Sequence, residues 1–195
     1  MSKDSSTSVE SRVIPGLTKV FTKIPVERVS VLLRNNSEII RRLEERLDLK
    51  INIDPSLGSV VIEPRTSSTP IYNLLKAKDY IDAIGCGFDP ESAERVLGED
   101  QVLLIIDLKD QLRLPENHLK RIKGRIIGKD GRAKKNLEEI SGCYISIYEN
   151  TIAIIGDTES ANAVKEAIQL LIEGREHSTV YRHLRRIIAR VKRRF

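Results

Sequence analysis

The chain has 195 residues, 40% of them hydrophobic, and a formal net charge of +5, which is enough material for one medium or two small domains with a core in each. Its two cysteines, Cys86 and Cys143, are too few and too far apart for a disulfide framework or a metal motif, so a reducing, cytoplasmic setting is expected. The polar start, Met1 to Arg12, and the lack of any long apolar run argue against export and against a membrane span.

Residues 1–15, with Ser5, Ser6, Thr7 and Ser8, are expected to be a flexible polar tail. Leu17 to Lys23 predicts a weak strand. Val31-Leu32-Leu33 and Leu43-Glu44-Glu45 then flank a turn, Arg34-Asn35-Asn36-Ser37, whose Asn and Ser suit a helix start. Ile51-Asn52-Ile53 and Ser59 to Ile62 predict strands, and Ile71 to Ile84 an amphipathic helix. Gly85-Cys86-Gly87 and Asp89-Pro90 mark turns, Glu91 to Leu97 a short helix, and a domain boundary falls near Gly98. The continuous apolar run Gln101 to Asp107 suits a buried strand.

Residues 122–142 carry the chemistry. They spell two helices around the turn Gly128-Lys129-Asp130-Gly131, with basic residues on both sides. Two glycines three apart permit torsions and a close approach that a β-carbon blocks. The turn also opens a helix whose free N–H groups favour phosphate. Ile126, Ile127, Leu137 and Ile140 flank it, followed by the alternating strand Cys143 to Tyr148, so Ile145 and Ile147 can line an apolar groove for unpaired bases beside the glycine turn, as in KH domains. Thr151 to Ile155 predicts the next strand, Ser160 to Glu173 a helix ended by Gly174, and residues 175–195 a basic amphipathic helix on Val180, Leu184, Ile187, Ile188 and Val191.

Charge follows the same division. Residues 119–135 and 175–195 together carry +14, which leaves −9 on the other 157 residues. Such concentration indicates a polyanion-binding face, with Lys129, Arg132, Lys134 and Lys135 and the arginines Arg182, Arg185 and Arg186 as the expected phosphate contacts.

A shift of 94 residues superposes Val31-Leu32-Leu33 on Arg125-Ile126-Ile127, Leu43-Glu44-Glu45 on Leu137-Glu138-Glu139, and Ile51-Asn52-Ile53 on Ile145-Ser146-Ile147. The chain therefore holds two copies of one unit, ordered strand, helix, turn, helix, strand, strand, helix. The expected fold class is α+β: two tandem eukaryotic-type (type I) KH domains, each a three-stranded antiparallel sheet with helices on one face, plus a basic C-terminal helix. The expected divisions are 16–98, 99–174 and 175–195. The first unit lacks both clamp glycines and is read as a supporting or protein-contacting domain, with Arg34, Arg41 and Arg42 available for peripheral RNA contact.

The chain closely resembles the archaeal and eukaryotic pre-ribosomal RNA-processing factors known as partner of Nob one, tandem KH proteins related to the Krr-type assembly factors. The likeness rests on Lys123-Gly124-Arg125-Ile126-Ile127-Gly128-Lys129-Asp130-Gly131, Tyr144 to Tyr148, Ile154-Ile155-Gly156, and Glu173-Gly174 to His177-Ser178-Thr179-Val180-Tyr181. It adds Lys123, Gly124 and Arg125 to the RNA-binding set. It implies binding to the 3′ region of small-subunit ribosomal RNA, and as partners the Nob-one endonuclease and the alpha subunit of translation initiation factor two.

Other chemistries fail on spacing. Gly124 to Lys129 is one residue short of a nucleotide P-loop, with Asp130 where Ser or Thr should bind magnesium. His118, His177 and His183 make no ligand spacing with the cysteines and are read as surface or capping residues. Glu44-Glu45 and Glu138-Glu139 are read as solvated helix faces. No catalytic residue, metal or cofactor is expected; the rival readings are an exosome or messenger-RNA protein with the same module, and a protein scaffold.

Overall fold

In a computed structural model the chain is described over residues 19–193, the side chains of Asn35 and Asn36 excepted; the expected polar tail, Leu17 and the last two residues lie outside that range. The first unit comprises β1 (Val20–Lys23), α1 (Val26–Leu32), α2 (Arg34–Leu47), β2 (Leu49–Asp54), β3 (Ser59–Pro64) and α3 (Ile71–Gly85). After α4 (Pro90–Ala93) and a 3-10 turn over Glu94–Leu97, the second unit comprises β4 (Gln101–Asp107), α5 (Leu108–Leu112), α6 (Glu116–Ile127), a 3-10 turn over Lys129–Gly131, α7 (Arg132–Ser141), β5 (Tyr144–Tyr148), β6 (Thr151–Asp157), α8 (Thr158–Ile172) and α9 (His177–Val191). The expected order is present, with α5 added. Asp107 starts that helix by accepting the N–H groups of Lys109 and Asp110.

Each unit has one antiparallel three-stranded sheet, β1-β3-β2 and β4-β6-β5, with the last strand in sequence at the centre. The registers correspond, Ile51 opposite Ile62 in one and Ile145 opposite Ile154 in the other. Apolar residues on one sheet face meet the helices: Ile51, Ile62, Leu74 and Ile81 in the first core, Ile145, Ile154, Leu137 and Ile168 in the second.

The second sheet is covered on both faces. Ile152 and Ile154 of β6 belong to the second core, whereas Ala153 and Ile155, pointing the other way, belong to the first. This corrects the reading of β4. It is an edge strand and only part-buried, and Ile105 is 47% exposed; its unbroken apolar run exists because Val102 and Leu104 face their own helices while Leu103 packs on the first unit.

Lys76, only 5% exposed, forms the joint between the units. Its ammonium donates to the carbonyls of Val96, Gly98 and Gln101 at 2.8, 2.7 and 2.7 Å, which are the acceptors that an unpaired buried charge requires. Arg28 is fixed within the first unit by donating to the carbonyls of Ile84 and Phe88, at 2.8 and 2.5 Å, and faces the second unit at the Tyr148 ring. The C-terminal helix is equally integral. Val180, Leu184 and Ile188 of α9 lie in the second core, each worth about 1.5–3 kcal/mol in buried apolar surface.

Among the described residues, no helix is long and apolar enough to cross a membrane.

Candidate nucleic-acid interface

The turn between α6 and α7 is built from left-handed residues. Gly128 has φ 75°, Asp130 φ 54° and Gly131 φ 75°, so the chain reverses within four residues and α7 starts at Arg132. The two glycines serve different ends. A β-carbon on Gly128 would lie 2.6 Å from the Ala133 methyl and 2.7 Å from its backbone nitrogen, so this glycine is required by the fold. At Gly131 a β-carbon would meet nothing within 4 Å, which leaves open the approach to the start of α7.

Beside the turn runs a groove of about 390 Å³. Ile127, 37% exposed, comes from α6, Lys134 and Glu138 from α7, and Tyr144 to Ile147 from β5; the first unit supplies Gly87, Phe88, Asp89 and Ser92. Asp89 caps α4 by accepting the Ser92 N–H at 2.9 Å, and that bond holds its carboxyl below the usual carboxylate range.

The expected site residues divide by environment. Lys129, Arg132, Lys135, Arg182, Arg185 and Arg186 are exposed. Arg132 pairs with Asp130 at 3.6 Å, Lys134 with Glu138 at 3.2 Å and Lys135 with Glu139 at 3.8 Å. Such exposed or half-exposed pairs are worth little, so a phosphate can displace them. Arg186 donates to His183 Nδ1 at 3.0 Å, while His183 Nε2 bonds Glu166 at 2.7 Å. Gly124 faces solvent on α6, where a β-carbon would meet nothing within 4 Å.

Three assignments change. Lys123 turns away from the groove and donates to the Glu149 carbonyl at 2.9 Å and to Asn150 Oδ1 at 2.8 Å, pinning the β5–β6 turn. Arg125 donates to the Arg175 carbonyl, while its own carbonyl accepts from His177 Nε2 at 2.9 Å, so it fastens α6 to the start of α9. Ile145 is 2% exposed and lies in the core. Ile147, half-buried, is the residue of that pair with side-chain surface to offer.

Sequence reasoning missed Glu138. It is half-buried, and its Oε1 accepts the Ile145 N–H at 2.8 Å, tying α7 to the edge of β5. Glu44 does the same for the Ile51 N–H at 2.7 Å in the first unit. Only Glu45 and Glu139 fit the solvated reading. The signal was the repeat itself, which keeps a glutamate seven residues before an isoleucine in both copies.

Comparison with known proteins agrees with this architecture. The model for the second KH domain of PNO1, a eukaryotic-type KH domain (type I), matches residues 102–189. The KH domain-containing protein MJ0443 of Methanocaldococcus jannaschii is 36% identical over 171 residues, 88% of this chain and 74% of that protein. The pre-rRNA-processing protein pno1 of Emericella nidulans is 35% identical over 193 residues, 96% of this chain and 70% of that protein. Among solved structures, a crystal structure of an a/eIF2alpha-aDim2p-rRNA complex from Pyrococcus horikoshii contains a chain that matches with a TM-score of 0.81 and 38% identity, covering 89% of this chain and 96% of that one.

Proposed function

Because the chain belongs to the PNO1/Dim2 family of KH-domain proteins, we propose that it is a ribosome-assembly factor that binds single-stranded RNA in the groove of its second unit. The RNA is the 3′ region of small-subunit ribosomal RNA, held there for a separate maturation endonuclease. The observation that carries this reading is the left-handed turn Gly128–Gly131 opening α7 beside an aliphatic groove, which together can grip a strand's backbone and hold its bases. The relatives support the process and the partner class: one is named for pre-rRNA processing, another was crystallised with rRNA and an initiation-factor alpha subunit.

We extend this to a division of labour. Lys129, Arg132, Lys134, Lys135, Arg182, Arg185 and Arg186 supply phosphate contacts, and Ile127 and Ile147 face the bases. The functional units are 16–98, 99–174 and the helix 175–195. The protein partners are the alpha subunit of translation initiation factor two and the Nob-one endonuclease, and the setting is the cytoplasm. The chain performs no hydrolysis itself; it acts by placing the RNA.

Crosslinking the protein in extract and sequencing the attached RNA tests the target. Precursor 3′ ends of small-subunit RNA are expected; a scatter of messenger fragments would sink the assembly reading. The placing role is tested by adding the endonuclease to labelled 3′-end RNA, where the protein should change the rate or position of cleavage and should leave the RNA intact on its own.

A further inference from the structure

The groove beside the clamp does not end on the aliphatic side of β5. Side chains alternate along a strand, so Ile145 and Ile147 face the helices while Tyr144, Ser146 and Tyr148 face the first unit. The Ser146 hydroxyl donates to the Cys86 carbonyl at 2.8 Å, and the Arg28 guanidinium lies 5.7 Å from the centre of the Tyr148 ring. These contacts close the seam. Tyr144, at the end of the strand, is left 42% exposed and lines the same groove as Ile127 and Lys134. The Arg95 guanidinium stands over its ring, 4.8 Å from the centroid, and is steadied by Gln101 Oε1 at 3.0 Å. One face of the ring is therefore covered by a cation from the first unit, and the remaining surface opens into the groove.

We propose that Tyr144 is a stacking platform for one nucleobase lying outside the short stretch gripped by the clamp, a subsite that exists only because the two units are docked. The proposal rests on the clamp reading above. Continuity with the clamp groove makes the occupant part of the same RNA strand. The facing wall decides which part of the nucleotide enters. Its Gly87 has no side chain and lies so close to β5 that a β-carbon would come within 2.7 Å of Tyr148 Cβ and 2.8 Å of Ser146 Oγ. Past the buried Phe88, the same wall carries the carboxylate Asp89, which repels phosphate and can accept from a base amine. A flat aromatic ring, a cation behind it and a carboxylate opposite suit a base and not the phosphodiester.

The test uses the full chain and a fluorescent single-stranded RNA pool of random sequence, about ten nucleotides long. The tightest binder from the pool is then remade with a single abasic site at each position in turn. Tyr144→Ala is expected to weaken binding about 5- to 100-fold, and Tyr144→Phe to bind like the unaltered chain. One abasic position outside the clamped stretch of about four nucleotides should weaken the unaltered chain by the same factor and leave Tyr144→Ala no weaker. If no such position exists, or if Tyr144→Ala binds normally, the subsite is wrong while the clamp stands. Should Tyr144→Ala fail to fold, the abasic series on the unaltered chain decides alone. If the unaltered chain binds none of the pool, the clamp reading falls and this proposal with it.

Discussion

The two units share an element order, a sheet order and a glutamate that ties helix to strand edge, yet they differ at the turn and in what covers their sheets. In the first unit Ser37, at φ 62°, occupies the left-handed place that Gly131 holds in the second at φ 75°. The reversal of the chain thus does not require glycine there, since a short polar residue can adopt αL at modest cost. What Gly131 adds is an unobstructed approach, a property of binding and not of folding. The second contrast concerns faces. The first sheet has an open face, where Phe21 is 67% exposed beside exposed Lys23, Lys50 and Asn52, whereas the second sheet lies between its own helices and the first unit. One repeat has become a covering layer for the other.

The joint is the place to break that arrangement. Lys76→Met removes three charge-assisted bonds to the Val96, Gly98 and Gln101 carbonyls, which should cost about 3–5 kcal/mol in chemical denaturation. The single unfolding transition should divide in two as the units separate; one undivided transition at unchanged midpoint would mean that the joint does not couple them.

The turn is the next target. Gly131→Asp should cut affinity for single-stranded RNA by at least tenfold, through repulsion of phosphate, while costing the fold only about 1–2 kcal/mol. Gly128→Asp should lower binding and thermal stability together, because its side chain meets Ala133. Equal losses of stability in the two variants, read from melting curves, would refute the division between a binding glycine and a folding one.

Electrostatics sharpen the contrast further. Arg182, Arg185 and Arg186 all stand exposed on α9. Their joint replacement by Gln should make the log-log salt slope shallower by about 2, near 0.7 for each phosphate released. Titrations at several salt concentrations measure this, and an unchanged slope removes α9 from the RNA surface. Deleting the helix is a poor substitute, because Val180, Leu184 and Ile188 would leave the core with it.

The smallest effect tests what the units have in common. Glu44→Ala and Glu138→Ala should each cost about 1–2 kcal/mol by stranding a strand N–H, and the Gln variants, which keep an acceptor, should be close to neutral. A large cost at only one of the two sites would show that the ties are not equivalent.

Much of this fold is legible because the repeat and the local periodicities agree. The strands at Ile51 and Ile145, the helix from Ile71 and the glycine turn all announce themselves within a few residues. The docking of the units does not, since the partners of Lys76 lie 20 to 25 residues away and a helical lysine looks the same whether it holds carbonyls or phosphates. Lys123 and Arg125 mislead for that reason: their neighbours in sequence are phosphate-binding types, but their acceptors belong to Glu149, Asn150 and Arg175. The unbroken apolar run of β4 carries the clue to docking, because a strand with a second apolar face has a second partner.

The tie from Lys123 to the β5–β6 turn bears on the thermodynamics of recognition. A loose turn at the end of the groove strand would have to be ordered when RNA arrives, at about 1–2 kcal/mol per residue in backbone entropy. With Glu149 and Asn150 already held from α6, that ordering is completed during folding, and contact with the strand is not discounted by it.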